Sequence, residues 1–460
     1  MSKIRFLWNN LADIAALTPS SELSSLPAKN IQHPHRKLVW RTATDNLEWV
    51  EMNLGAAYTV KGVALINHNF LDDANLKMRL LGSYWNGISA PIGWGGGFWD
   101  WMYKNGKDRG DKGCDLTFVN SPTIGWNDNY GLELILNGTD QYAYRVTDDN
   151  LNLGQLDFTL VARIKTSATS AQGVIGKTAG GIGYGFYKLG SGVMRLRLTD
   201  GTNAIEVDSN TIVHDGAEHT VGVVVDRIAG TAKFYFDGNP DGQGDISSVS
   251  GSLDNDGQFL LGKWSANYLN GSIAFAAVYK NKKMTDWDMG QIHAEPVIKE
   301  DLTYDSEIII KHFTGGNKRY WRLEFDNSAN PENKIDIGRM FLGNYFEPSR
   351  QFARGWEEML VDPSKVEQSE QGQEWVDLKE KHRMIRVEFP EGAPLSETDR
   401  ENYREMLQAV GCSKDIFIAL DYDNQPSKWS LYGKFAQTEF NFREFLAGLY
   451  TTGFDFKENR

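Results

Sequence analysis

A chain of 460 residues is too long for one hydrophobic core, since single cores stop growing at roughly 250 to 300 residues, so two to four domains are expected. Aromatics at 12%, with 14 Trp, 18 Tyr and 23 Phe beside 46 Gly, favour many short strands and turns over long helices, which makes the expected class mainly β. The 48 Lys and Arg stand against 61 Asp and Glu, and the resulting net charge of -13 removes the electrostatic term that nucleic-acid binding needs and excludes that partner.

At the start of the chain, Asn9, Asn10 and Asp13 follow the run from Met1 to Trp8, so no apolar signal core forms and no export signal is expected. No stretch approaches the roughly 18 apolar residues that cross a bilayer, so membrane insertion is not expected. Cys114 and Cys412 are too few for a disulfide framework and are compatible with assembly in a reducing cytoplasm.

In chain order, Val50, Met52 and Leu54 alternate with Glu51 and Asn53, and a further strand is expected over Lys61 to Asn67 after a turn at Gly55. From Gly82 to Asn127 periodicity is lost, and Trp85, Trp94, Trp99, Trp101 and Trp126 lie among turn formers, which predicts one long aromatic loop. Alternation returns at Phe158 to Lys165, Val193 to Leu198, Thr220 to Val225 and Thr231 to Phe236. Asp200-Gly201, Asp215-Gly216, Asp237-Gly238 and Asn270-Gly271 read as the turns of an antiparallel sandwich.

Strands resume at Glu307 to Ile310, Tyr320 to Phe325 and Lys334 to Ile337 in the style of the first segment, so the middle segment reads as an insertion into a host domain. Beyond these, Ile385, Val387 and Phe389 alternate with charges. Ser396 then opens a helix with Tyr403, Met406, Leu407 and Val410 on one face and Asp399 at the third position, and strands at Asp415 to Leu420, Trp429 to Tyr432 and Gly453 to Phe456 complete a sheet beside that helix.

Asn10 to Ser21, Leu38 to Thr42, Trp49 to Gly55 and Val63 to Asn69 resemble the discoidin-type jelly roll of bacteriophage virion proteins. Leu136 to Tyr142, His219 to Arg227, Tyr235 to Gly238 and Tyr268 to Ile273 fall in the order of the laminin-G, concanavalin A-like lectin family, which this segment resembles across about 170 residues, a roughly domain-sized length. From about Phe346 onward, Glu374 to Lys379, Ala419 to Asp423 and Tyr432 to Lys434 are similar to tail-tube and distal-tail proteins, which set one helix against a β-sandwich. The resemblances imply a jelly roll over residues 1-120 and 295-345, an inserted lectin-type sandwich over 121-294, and a β-sandwich with one α-helix over 346-460.

Lectins of that family often hold calcium at the sandwich rim through acidic residues, but Gln141, Ala274 and Ala276 stand where acids are common. Asp140 remains the candidate metal ligand, and apart from calcium there no cofactor is expected. Trp94, Trp99, Trp101, Trp264 and Tyr268 are the candidate carbohydrate-binding residues, because flat aromatic faces stack on sugar rings; packing of the loop or a neighbouring subunit is the competing use of its tryptophans.

A concanavalin-like glycosidase would need acids alternating along a strand, whereas Glu397, Asp399 and Glu401 fall in the expected helix, where they read as a solvated first turn near the positive dipole end. His33 and His35, with His68 elsewhere, lack the spacing of a zinc site, and Gly181, Gly183 and Gly185 continue into a strand rather than a phosphate-binding helix.

The expected protein is therefore a non-enzymatic component of a phage tail or baseplate, residing in the virion. Its C-terminal domain would join other tail proteins in a homo-oligomeric ring while its sandwiches meet a host cell-surface glycan, with avidity multiplying weak contacts. A polysaccharide-degrading tail enzyme and a purely architectural spacer are the alternatives.

Overall fold

Side chains that alternate between apolar and polar fix one buried and one exposed face on each strand, and that pattern dominates this chain. The computed structural model describes residues 4–83, 115–127, 131–146, 148–294, 298–352, 356–425 and 428–459. Among these the molecule is mainly β, with several antiparallel sheets and two α-helices, α1 (Asp286–Ala294) and α2 (Glu397–Val410). The chain forms two compact units, one built from Met1–Leu80 with Glu300–Arg460 and the other from the continuous segment Leu81–Lys299.

The continuous unit is a sandwich of two seven-stranded sheets. Its front sheet runs Ala204–Asp208, Met194–Asp200, Ile182–Lys188, Gln172–Ala179, Phe259–Leu261, Tyr142–Arg145 and Thr117–Val119 from edge to edge. The back sheet runs Asn239–Asp245, Thr231–Phe236, Glu218–Asp226, Phe158–Lys165, Asn270–Lys280, Gly131–Asn137 and Thr123–Asn127. Phe158, Leu160, Phe186, Leu196, Val223, Phe234 and Phe259 meet between the sheets without solvent exposure. Each such side chain contributes about 1.5 to 3 kcal/mol relative to an exposed one.

Three local expectations are corrected here. The stretch taken as a loop up to Asn127 already contains the strands Thr117–Val119 and Thr123–Asn127, whose short, half-exposed runs carry little periodicity and owe their form to pairing with Tyr142–Arg145 and Gly131–Asn137. Asn270-Gly271 opens a strand instead of making a turn. A Cβ on Gly271 would meet the Lys165 carbonyl at 2.0 Å, so glycine serves close strand approach at this position. Helix α1, which the expected elements lack, begins with the Thr285 hydroxyl accepting from the Asp288 N–H while the Asp288 carboxylate accepts from the Thr285 N–H, a reciprocal cap. Its Met289 and Ile292 bury Val161, Val224 and Phe275 on the outer face of the back sheet.

The other unit holds two large sheets and a separate two-stranded ribbon, Lys365–Gln368 with Glu374–Asp377. In one, the 21-residue strand Glu48–His68 pairs along Ile308–Asp326, flanked by Asp336–Gly343 and Ala16–Pro19. Gly55, at φ +77°, does not end the strand as a turn would; the ribbon continues past it, and the register shift between Lys318 and Tyr320, opposite the stretch from Asn53 to Tyr58, absorbs the irregularity.

The second sheet runs Arg5–Leu7, Ile416–Ala419, Ser430–Phe435, Leu449–Glu458, His382–Phe389 and Glu357–Val361. Ser396 caps α2 by accepting the Asp399 N–H, and the helix face of Tyr403, Met406, Leu407 and Val410 packs with Phe6, Phe389 and Phe454.

Candidate functional site

Strand alternation places one set of front-sheet residues away from the sandwich core. Core-facing Leu196 and Leu198 leave Arg195 and Arg197 on the outer face, and core-facing Ala143 leaves Tyr142 and Tyr144 there. In the middle of that face the strands carry Gly173, Gly176 and Gly185, with Gly176 and Gly185 directly opposite each other. A Cβ on Gly173 would meet the Trp264 backbone nitrogen at 1.9 Å, and one on Gly185 would meet the indole at 2.5 Å. The three glycines therefore form a trough in which the short hairpin Lys263–Trp264 and Asn267–Tyr268 lies.

Trp264 is held in this trough by Tyr187, whose ring is 5.5 Å away and 12° from parallel. On the other side, Tyr142 lies 6.0 Å from Tyr268 and 6.3 Å from Tyr144. The Lys263 ammonium stands 4.3 Å from the Tyr142 ring centre and 4.7 Å from that of Tyr268. Trp264, Tyr268, Tyr142, Tyr144 and Lys263 are each partly exposed. The result is an aromatic platform on a glycine floor, suited to the apolar face of a sugar ring.

Beside it is a charged ladder. Arg195 grips Asp208 with two bonds of 2.6 and 2.8 Å and reaches Glu206 at 2.6 Å, and Arg197 meets the other Glu206 oxygen at 2.5 Å. The hydrogen bond to Asp208 raises the Arg195 pKa further, while burial, with the Glu206 charge, raises that of Tyr187. These acids are engaged by guanidinium groups, an arrangement that holds geometry rather than moving protons.

The residues expected from the sequence fall in three places. Trp264 and Tyr268 share the hairpin on this face. Trp94, Trp99 and Trp101 lie outside the described residues. Asp140 sits in the exposed turn after Gly131–Asn137, where its oxygens accept from the side-chain amides of Asn137 at 2.8 Å and Asn120 at 2.9 Å. Gln141 donates to the Asn120 and Ser121 carbonyls, so amide bonds organise this rim. Among the described residues no group of three His, Cys, Asp or Glu side chains is placed to hold a metal ion.

Tyr142, Tyr144, Tyr187, Lys263 and the glycine trough were absent from the candidates drawn from sequence. Their signal was available in the alternation around Ala143 and in the unexplained strand glycines.

The remaining motifs have structural roles. His33 and His35 are exposed, and burial takes the His68 pKa down to about 4. Glu397 and Glu401 are exposed and bind Arg400, as a solvated helix turn would, but Asp399 is buried and accepts from the Ser349 N–H and hydroxyl. At the far end of the back sheet, His219 bridges Asp237 at 2.9 Å and Asp215 at 3.0 Å, tying two turns together, and His293 stands 3.6 Å from Asp237.

Residues 137–286 match the Laminin_G_3 family, the concanavalin A-like lectin/glucanases superfamily, so the continuous unit contains a lectin-type sandwich. No curated protein matches the chain.

Among solved structures, domain 4 of AbnA, an extracellular arabinanase from Geobacillus stearothermophilus, in complex with arabinotriose, is similar at 15% identity and a TM-score of 0.34, covering 43% of this chain and 98% of that one. The Ruminococcus gnavus IT-sialidase CBM40 bound to α2,3 sialyllactose is similar at 18% identity and a TM-score of 0.30, covering 35% and 96%. The binding domain of Paraclostridial Mosquitocidal Protein 1 is similar at 9% identity and a TM-score of 0.38, covering 78% and 91%.

Proposed function

We propose that this chain is a non-catalytic, glycan-binding component of a bacteriophage tail or baseplate, whose lectin-type unit presents the Trp264 and Tyr142 face to carbohydrate on a host surface. The observation that carries the glycan part is the outward grouping of Tyr142, Tyr144, Trp264 and Tyr268 on one side of a sheet whose glycines make room for it. The absence of catalysis in this reading is supported by Glu206 and Asp208, the acids flanking the platform, which are both engaged by arginines. A glycosidase pair needs one carboxyl free to donate a proton and a second free to attack or to activate water.

The phage setting is supported by the resemblance of the N-terminal and C-terminal segments to virion proteins, and it includes assembly into a ring with other tail proteins. In a ring, several weak sites facing one cell would act together.

A glycan array probed with the full chain tests the binding. Wild type should retain a defined set of glycans, and Trp264→Ala and Tyr142→Ala should lose them while keeping the unfolding temperature of a folded sandwich. New reducing ends after incubation with envelope polysaccharide would replace this reading with an enzyme. Light scattering of the purified chain and antibody labelling of phage particles test the ring and the tail location.

A further inference from the structure

We infer that the glycan taken by this face is acidic, with its anionic group paired to the Lys263 ammonium between the rings of Tyr142 and Tyr268. This inference rests on the glycan-binding reading above and narrows it to a ligand class.

The cations of the front sheet strands are already engaged or buried. Arg195 and Arg197 are used up by Asp208 and Glu206, two positive charges against two negative ones. Arg145, on the same sheet, pairs with Asp148. Lys177 and Lys188 are buried, the first donating to Asn152 and the second to the Ser170 and Leu189 carbonyls. Lys263 differs from all of them in being partly exposed with, among the described residues, no carboxylate within ion-pair distance, its ammonium lying against two tyrosine faces.

Two consequences follow from that placement. Ring faces attract a cation without neutralising it, so the charge remains for a ligand. They also hold the flexible lysine stem in place before the ligand arrives, which lowers the entropy lost on binding. A sugar stacked on Tyr142 or Tyr268 would therefore lie beside a fixed positive charge, and a carboxylate or sulfate on that sugar would gain a charge-assisted hydrogen bond.

The net charge of -13 does not oppose this. Exposed charges beyond the Debye length of about 8 Å are largely screened at physiological salt, so the local cation decides.

The test is an array in which each carboxylated or sulfated glycan stands beside its neutral counterpart, probed with wild type, Lys263→Met and Lys263→Arg full chains. Wild type should retain acidic members over their counterparts by roughly tenfold or more, as a hydrogen bond to a charged group implies. Lys263→Met, which keeps the apolar stem, should retain acidic and neutral counterparts alike, whereas Lys263→Arg should keep the preference for the acidic ones. The carboxylate and sulfate arms name the acidic group. Equal retention of acidic and neutral members by wild type overturns the inference and leaves glycan binding standing. Silence across the whole array overturns both.

Discussion

The indole of Trp264 is clamped between the ring of Tyr187 and the bare backbone at Gly185. Gly185→Val should therefore act on the platform without touching a ligand itself. Its Cβ would meet the indole ring at 2.5 Å, so Trp264 must leave the trough. A stability loss of about 1 to 3 kcal/mol is expected from overpacking, together with weakened glycan retention. Urea unfolding and the array measure both, and a variant equal to wild type in each would show that the trough does not hold Trp264.

Burial opposes the charge on His219, but the hydrogen bonds and charges of Asp237 and Asp215 outweigh it and leave the pKa above its ordinary 6.5. The protonated form is thus favoured by folding. This contribution is complete below about pH 6.5 and is lost as pH rises through the folded value. His293 runs the other way, because burial lowers its pKa and its contribution fades as pH falls through that lowered value. Comparing wild type with His219→Asn isolates the first effect. The Tm gap should be wider at about pH 5.5 than at about pH 8.5, and an equal gap at both would refute the assignment.

Arg79 and Glu324 meet at 3.0 Å with side chains only 1% exposed, and the second Glu324 oxygen takes Arg322 at 2.5 Å. Glu324→Gln would remove the buried carboxylate charge that both guanidinium groups share, at a cost of roughly 3 to 5 kcal/mol. The urea midpoint should fall with little change in slope; a midpoint within experimental scatter of wild type would contradict the burial of this pair.

Tyr403 is fully buried among Phe6, Phe346, Phe389 and Phe454, and its hydroxyl has no hydrogen-bond partner among the described residues. Removing that hydroxyl should help. Tyr403→Phe is expected to raise stability by about 1 kcal/mol, since an unsatisfied buried polar group is costly. Thermal unfolding that moves downward would reveal a partner for the hydroxyl.

The Ser396 cap on α2 offers a smaller effect. Ser396→Ala should cost about 1 kcal/mol and Ser396→Gly less, because glycine tolerates the cap conformation. Equal losses for the two variants would show that the serine acts through something other than capping.

Much of the fold was legible where one face of a strand is buried. Phe158 to Lys165 and Thr231 to Phe236 were bounded from alternation, and the α2 face was read from its helical spacing. Legibility failed where long-range contact decides. Three-residue Thr117–Val119 carries too few positions to show a period, and Gly55 reads locally as a turn although its partner strand carries it through.

At the site, Trp264 and Tyr268 were visible as flat aromatic faces. Gly173, Gly176 and Gly185 were not, since a strand glycine announces a close approach without naming what approaches. The Thr285 and Asp288 box was a readable signal for α1.

Arg5–Leu7 finds its strand partner in Ile416–Ala419, about 400 residues downstream. At synthesis rates of roughly 5 to 20 residues per second, that edge waits about 20 to 80 s before its neighbour exists. Leu81–Lys299 will have left the ribosome long before then and can complete its own sheets in the interval. Phe6 and Leu7 meanwhile stay open to the wrong neighbour, so a chaperone that shields a nascent apolar strand should raise the yield of this protein more than one that acts on the finished chain.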